Sequence, residues 1–404
     1  MNPYEWLATP AGEALLAELG GFTEARAAAA AAFARKRTDA SRAAAALTTA
    51  FARRRAVAAG KFSRADKMFF THAGYEQASS EALARHRAAR FANHARVVDL
   101  CSGIGSDSIA LAAALGTSGR VDGVDMDEDA LACARHNAQI YDVQATAIFH
   151  QADALAWALG ADAAFADPSR RSARGRARHG DEYQPPLPAI LARAKEIPDH
   201  AMGVKIAPGL RVDEDGLREL CGAPVELEYL SERGECKEAA VWCGALARRH
   251  GARSATVIDA GGTHVLDGAP LPAMVRSLER YLGEPDPAVI RAGLIGTLCE
   301  RVGAAVLDPD VAYVTAERAD DDPYVRWYEV IEALPFGVKR LRALLRARGI
   351  GSLVIKTRAF PMRPDEIAAA LKLRGDEAAV LACTTIGGVK TAIVCRAPSP
   401  PLPN

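Results

Sequence analysis

The chain has 404 residues, half of them hydrophobic and a quarter charged, and its 50 basic and 50 acidic side chains cancel to a formal charge of zero. That length suits two or three domains with sizeable cores, and a zero balance excludes a global field that draws the whole chain onto nucleic acid or membrane. No apolar run reaches the roughly 18 residues of a membrane span, Met1-Asn2-Pro3-Tyr4-Glu5 lacks the parts of a secretory signal, and the eight dispersed cysteines show no metal-ligand spacing, so a cytoplasmic chain with reduced thiols and no metal is expected.

The first ninety residues predict helices. Glu13 to Leu19, Phe22 to Arg37 and Ser41 to Ala59 are rich in Ala and free of Pro, and Ala is the strongest helix former. Arg35-Lys36-Arg37, Arg53-Arg54-Arg55, Lys61, Arg64 and Lys67 make this region basic, either as an RNA-facing surface or as solvated helix faces. Ser80 is the expected N-cap of a helix over Ala82 to Phe91.

Next comes Val97-Val98-Asp99-Leu100-Cys101-Ser102-Gly103-Ile104-Gly105-Ser106-Asp107. It predicts a buried strand, a turn built for close backbone approach, and a helix whose positive end faces a crevice. A dinucleotide fingerprint wants a third Gly where this chain has Ser108. Asp99, expected to face the crevice, repels a pyrophosphate and suits a cationic sulfonium or ammonium group. A second strand ends in Gly123-Val124-Asp125. Asp125 lies about twenty residues past the glycine loop, where an acid accepts hydrogen bonds from ribose hydroxyls.

Asp99-x-Cys101-x-Gly103-x-Gly105, then Gly123-Val124-Asp125, then Gln151-Ala152-Asp153 resemble the cofactor sites of class I S-adenosylmethionine-dependent methyltransferases. The resemblance implies S-adenosyl-L-methionine as cofactor, with Asp99, Cys101, Gly103 and Gly105 at its methionine end. It also implies that Asp125 binds ribose and that Asp153 sits beside the adenine amino group. In such enzymes the segment upstream of the first strand closes over the methionine end, which makes Phe70 and Gln77 further candidates.

Phe165-Ala166-Asp167-Pro168-Ser169-Arg170-Arg171 ends a fourth strand. Methyltransferases acting on exocyclic nitrogen often carry Asp/Asn-Pro-Pro and an aromatic residue here. This chain has Ser169 and Arg170 instead, so the flat platform for a base is missing. Asp167, Pro168 and Arg170 are the candidate catalytic residues, with Asp167 orienting or deprotonating the acceptor and also contributing to the cofactor site. The Arg-rich run from 170 to 178 carries guanidiniums suited to gripping phosphates.

Met202 to Ala207 predicts a fifth strand, in which Lys205 either reaches the crevice or snorkels outward. Val225 to Ser231 and Ala239 to Leu246 flank a hairpin turn at Glu232-Arg233-Gly234-Glu235. Cys236 lies near it as a weak candidate thiol nucleophile. From Ser254 the pattern becomes mixed: strands at 256–258, 264–266, 311–315, 352–355 and 378–383, with helices at 337–348 and 364–373. The first of those helices puts Leu341, Leu344 and Leu345 on one face and Arg on the others, a basic patch with Lys356 and Arg358.

Tyr281-Leu282-Gly283-Glu284-Pro285-Asp286-Pro287, Leu307-Asp308-Pro309, Pro335-Phe336 and Val354-Ile355-Lys356-Thr357-Arg358 look like a THUMP-like C-terminal domain, whose THUMP relatives bind RNA. The expected fold is therefore α/β: a Rossmann-like methyltransferase sheet (91–250) between an N-terminal helical domain (1–90) and a C-terminal α+β THUMP-like domain (251–404). The expected function is methylation of an RNA (tRNA or rRNA) nucleotide. The alternatives are a protein or small-molecule methyltransferase and a catalytically inactive RNA-binding relative.

Overall fold

The computed structural model describes residues 1–169, 171–172, 175–176, 180–248 and 251–397. The chain divides into two compact units, residues 1–227 with 238–251 and residues 228–237 with 252–404.

In the first unit, α1 (Pro3–Leu7), α2 (Pro10–Leu19), α3 (Ala27–Arg35) and α4 (Ala40–Ala58) form the helical start. Asn2, Thr9 and Asp39 cap α1, α2 and α4 through side chains that accept backbone N–H groups. Ala43, Ala46, Ala52 and Ala56 of α4 are buried, and these small side chains admit close helix packing. α5 (His72–Gln77) and α6 (Glu81–Ala88) follow, with Ser80 capping α6 as expected. Many of the basic side chains in this region staple it together. Arg53 donates to the carbonyls of Met68 and Lys67, Arg54 donates to that of Gly20, and Arg37 pairs with Glu18.

The sheet of this unit contains β1 (Arg96–Leu100), then α7 (Ser106–Leu115), β2 (Arg120–Asp125), α8 (Glu128–Ile140), β3 (Ala147–Gln151) and β4 (Ala163–Ala166). Two short strands, β5 (Arg171–Ser172) and β6 (Gly175–Arg176), pair with each other. After them come α9 (Leu187–Ala192), β7 (Met202–Ile206), α10 (Glu214–Cys221), and the hairpin strands β8 (Val225–Glu232) and β9 (Glu235–Cys243), of which residues 228–237 are assigned to the second unit. The strand order is β9-β7-β4-β1-β2-β3, parallel throughout except for the antiparallel β7–β9 pair. Parallel pairing with helical crossovers brings the carboxyl ends of β1 to β4 to one edge. Ala130, Ala132 and Cys133 of α8 share a core with Leu7, Leu16, Leu19, Met68 and Phe70. Residues 1–90 thus belong to the same compact unit as this sheet.

The second unit holds the antiparallel pair β10 (Arg253–Asp259) and β11 (Gly262–Gly268). It continues with β12 (Tyr281–Pro285), α11 (Pro287–Ala292), α12 (Ile295–Val302), β13 (Ala305–Asp308), β14 (Val311–Ala316), β15 (Val325–Pro335), α13 (Val338–Ala347), β16 (Ile350–Thr357), α14 (Pro364–Leu371), β17 (Glu377–Ile386) and β18 (Val389–Arg396). Seven of these strands form a sheet in the order β13-β14-β12-β15-β18-β17-β16, in which β16 and β17 are parallel and joined through α14. α13 buries Leu341 and Leu345, while Leu344 packs partly buried against the same core. The sheet is larger than the small layer expected from sequence, because β12, β13, β15 and β18 carry Gly, Pro or charged residues that blur strand alternation. Among the described residues no helix is long and apolar enough to cross a membrane.

Candidate active site

The cavity at the carboxyl edge of the first unit's sheet has a volume of about 490 Å³. Its walls come from the glycine loop, the ends of β2 and β4, the turn after β3, and α5. Of the residues expected from sequence, Cys101, Gly103, Asp125, Asp153 and Asp167 line it, as does Gln77. Asp107 and Asp127 add two more carboxylates, so the interior favours a cation.

The glycine loop gets its shape from three successive departures into positive φ, at Cys101 (65°), Gly103 (54°) and Gly105 (84°). A Cβ on Gly103 would meet no atom of the described residues within 4 Å, which leaves room for a ligand on the cavity side of the loop. A Cβ on Gly105 would come within 3.1 Å of the Ala134 Cβ. Gly105 is the N-cap of α7 and serves close packing behind the loop, outside the cavity lining. Gly74 seats α5 on this loop, since a Cβ there would lie 2.3 Å from Ile104 Cγ2.

Asp125 joins two of the expected elements. Its Oδ2 accepts from Gly103 N at 2.8 Å and its Oδ1 from Asp127 N at 2.9 Å, which holds the carboxylate rigidly at the end of β2. Asp153 accepts from Leu155 N at 2.9 Å. Two large apolar side chains, Met126 (71% exposed) and Leu155 (38% exposed), also line the cavity beside these acids.

Asp99 is a correction to the expected site. It is fully buried and does not line the cavity. The pleat of β1 turns it to the face covered by α7, where Ser108 Oγ donates to its Oδ2 at 2.5 Å and its Oδ1 has no hydrogen-bond partner among the described residues. Burial first, then the neighbouring Asp107 charge, pushes its carboxyl well above the usual range. Ser108 thus stands where a dinucleotide loop has Gly because its hydroxyl is used internally. Phe70 is also a correction, being buried in the helical core and not a wall of the cavity.

At the end of β4, Asp167 and Ser169 line the cavity while Pro168 is buried outside the lining. Arg170 lies outside the described residues, as do parts of the 170–178 run. Ser169 and Gln184 exchange backbone hydrogen bonds of 2.9 and 3.0 Å, which brings Gln184 and Pro185 to the cavity where the sequence offers no aromatic platform. Lys205 points inward: it is 2% exposed and its ammonium pairs with Asp167. Sequence reasoning missed Ser79, Arg87 and Glu238, which lie buried around this pair. The available signal was a charge embedded in an apolar strand, as in Lys237-Glu238-Ala239-Ala240.

In the second unit the expected basic patch is partly spent. Lys356 and Arg358 both pair with Glu284, at 2.7 and 3.4 Å. Arg342 donates to the carbonyls of Ala370 and Leu371, and Arg348 pairs with Glu332. Lys339, Arg340 and Arg346 of α13 are exposed. Cys236 is half-buried, and burial followed by the Asp286 charge pushes its thiol up to about 12, so it is not a thiolate at neutral pH. Among the described residues no group of three or more His, Cys, Asp or Glu is arranged to hold a metal ion.

Residues 94–173 match a family described as RNA cap guanine-N2 methyltransferase, residues 325–397 match a THUMP domain-like family, and residues 3–56 match a domain of unknown function. Two uncharacterized S-adenosylmethionine-dependent methyltransferases of Mycobacterium tuberculosis, from strains CDC 1551 and H37Rv, are each 35% identical over 353 residues, covering 85% of this chain and 94% of theirs. A crystal structure described as a candidate methyltransferase from Porphyromonas gingivalis W83 has the same fold, with a TM-score of 0.71 at 20% identity over 93% of this chain and 99% of that one. S-adenosylmethionine is the cofactor these relationships imply, and the carboxylate-lined cavity suits its sulfonium. Sequence identity across nearly the full length of those relatives, on a fold that gathers its acids at one sheet edge, makes this chain a member of the S-adenosylmethionine-dependent methyltransferases.

Proposed function

We propose that this enzyme methylates an RNA nucleotide in the cytoplasm, at an exocyclic amino group of a base. The observation that carries the reading is the match of residues 94–173, which span the glycine loop to Asp167, to the RNA cap guanine-N2 methyltransferase family. A THUMP domain-like match in the second unit, at residues 325–397, supports the same substrate class.

S-adenosylmethionine supplies an activated methyl group on a positive sulfur, so the chain's own task is orientation and charge compensation. Gly103 and Cys101 offer backbone at the methionine end. Asp125, already fixed by two backbone N–H groups, keeps lone pairs for the ribose hydroxyls. Asp153 would take the adenine amino group, and the exposed side chains of Met126 and Leu155 beside it would offer the ring apolar contact. Asp99 supports the loop from behind through Ser108. Asp167 accepts a hydrogen bond from the acceptor amine, Pro168 sets the turn, and Arg170 holds a nearby phosphate on the strength of sequence alone. The helices of residues 1–90 support the cofactor region (91–250), and the region 251–404 contributes a second RNA grip through Lys339, Arg340 and Arg346.

The test is transfer of tritiated methyl groups to bulk RNA and to protein extract, followed by mass spectrometry of the labelled nucleosides. Label in a methylated amino nucleoside supports the reading, and label confined to protein overturns it. Replacing Lys339, Arg340 and Arg346 by Ala should flatten the salt dependence of RNA binding by about 2 to 3 units of slope. An unaltered slope removes α13 from the interface.

A further inference from the structure

Beneath the cavity runs a chain of buried polar groups that joins two of its lining carboxylates. Lys205 sits in β7, in the interior of the sheet, and its ammonium donates to Asp167 Oδ2 and to Ser79 Oγ, the latter at 3.0 Å. Ser79 Oγ donates in turn to Glu238 Oε2 of β9 at 3.0 Å. Glu238 pairs with Arg87 of α6, and Arg87 donates to Asp107 of α7. Asp167 and Asp107 line the cavity. The four groups between them are almost sealed from solvent: Ser79 is 6% exposed, Arg87 1%, Glu238 2% and Lys205 2%.

A lysine in the middle of a central strand is an expensive way to fill space. Its ammonium loses its hydration, and an apolar side chain of similar volume packs there without that cost. What an ammonium supplies and Leu or Met does not is a fixed donor for a carboxylate. One oxygen of Asp167 is occupied by Lys205, which leaves Oδ1 for a group in the cavity. Ser79 Oγ accepts from the same ammonium and is itself held by Glu238, which fixes the ammonium beside Asp167. Ser79 also lies in the short link between α5, which covers the glycine loop, and α6. The chain thus ties the cofactor-covering segment to the carboxylate that meets the acceptor.

We propose that Lys205, locked by Ser79, Glu238 and Arg87, is the positioning residue that aims Asp167 at the methyl acceptor. This rests on the reading of Asp167 given above and assigns Lys205 no contact with substrate and no proton transfer.

The experiment compares the full-length wild type with Lys205→Met, Ser79→Ala and Asp167→Ala. The acceptor is a complete extract of cells lacking this chain, labelled with tritiated S-adenosylmethionine and fractionated afterwards into RNA and protein. Total rate tests Lys205 and the fraction labelled tests the substrate class, so the two conclusions stand or fall separately. Lys205→Met is expected to lower kcat about 100-fold, as a displacement of roughly 1 Å at a reacting group does. Its affinity for S-adenosylhomocysteine, by calorimetry, should stay within about threefold of wild type. Ser79→Ala keeps every charge and is expected to lower kcat about tenfold with the same unchanged affinity. A purely structural role would instead lower kcat and product affinity together, and that result overturns the proposal. Wild-type turnover by Lys205→Met beside an inactive Asp167→Ala also overturns it, alone. Wild-type turnover by Asp167→Ala removes the reading on which it rests. If Lys205→Met does not fold, Ser79→Ala decides: reduced kcat with intact affinity supports the proposal, and wild-type kcat overturns it.

Discussion

Replacing Asp125 separates the role of the β2 acid as a loop anchor from its role as a ligand group. In the free enzyme each carboxylate oxygen accepts one backbone N–H, from Gly103 at 2.8 Å and from Asp127 at 2.9 Å. Gly103 is half-buried and Asp127 exposed, so water replaces much of what Asp125→Ala removes from them. The expected loss of stability is about 1 kcal/mol. If Asp125 holds the ribose as proposed, the ligand loses a carboxylate acceptor inside a cavity, and a hydrogen bond to a charged group contributes about 1.5–3 kcal/mol. Calorimetric titration with S-adenosylhomocysteine should therefore show affinity weakened by about 10- to 150-fold. Asp125→Asn is no gentler, because one end of the amide is then an NH2 group facing a backbone N–H, donor against donor. An affinity within about twofold of wild type for either variant, with the fold intact, refutes the reasoning. So does a loss of stability large enough to explain the whole drop in binding.

Further outcomes follow from the same site. Gly74→Ala places a Cβ 2.3 Å from Ile104 Cγ2 and 2.8 Å from Thr71 Oγ1; overpacking of this kind costs about 1–3 kcal/mol, and pushing α5 off the glycine loop should weaken S-adenosylhomocysteine binding, so unchanged affinity means α5 does not cover the ligand. The pKa of Asp99 is raised by burial first and then by Asp107. The folded state therefore holds a proton that the unfolded chain has released; this contribution is full below the unfolded pKa and is lost as pH rises through the raised value. Asp99→Asn should remove that decline, gaining on wild type in urea unfolding as pH increases, and a pH-independent difference rules Asp99 out as the titrating group. Cys236→Ser should leave methyl transfer unchanged within about twofold, because a thiol held near 12 supplies no nucleophile. Loss of transfer with the fold intact would restore Cys236 as a candidate.

Reading these residues in order went far for the first unit. Alternation of apolar strand and Ala-rich helix, with Gly103 and Gly105 between, carries its own geometry, since only a few residue types tolerate positive φ at a turn. The order of Asp125, Asp153 and Asp167 after successive strands placed all three on one edge, where the cavity is. Asp99 was misjudged for a specific reason: the end of a strand is visible in sequence, but which face its pleat presents depends on register against β2 and β4 and on where α7 lands. The basic residues show the same dependence on the folded chain. Arg53, Arg54, Lys356 and Arg358 look alike on paper, yet each is committed to a carbonyl or carboxylate distant in sequence.

Local chemistry alone thus determined the α/β class, the glycine corner and the acids that could meet a cation, because each depends on residues within one strand-loop-helix unit. Tertiary structure decided the rest. It closed α5 over the glycine loop, brought Gln184 and Pro185 to the cavity, and assembled Lys205, Glu238 and the pair Ser79 and Arg87 from three distant segments into one buried chain. A buried charge is tolerated only where partners converge on it, and convergence is a property of the folded chain that no single stretch of residues encodes.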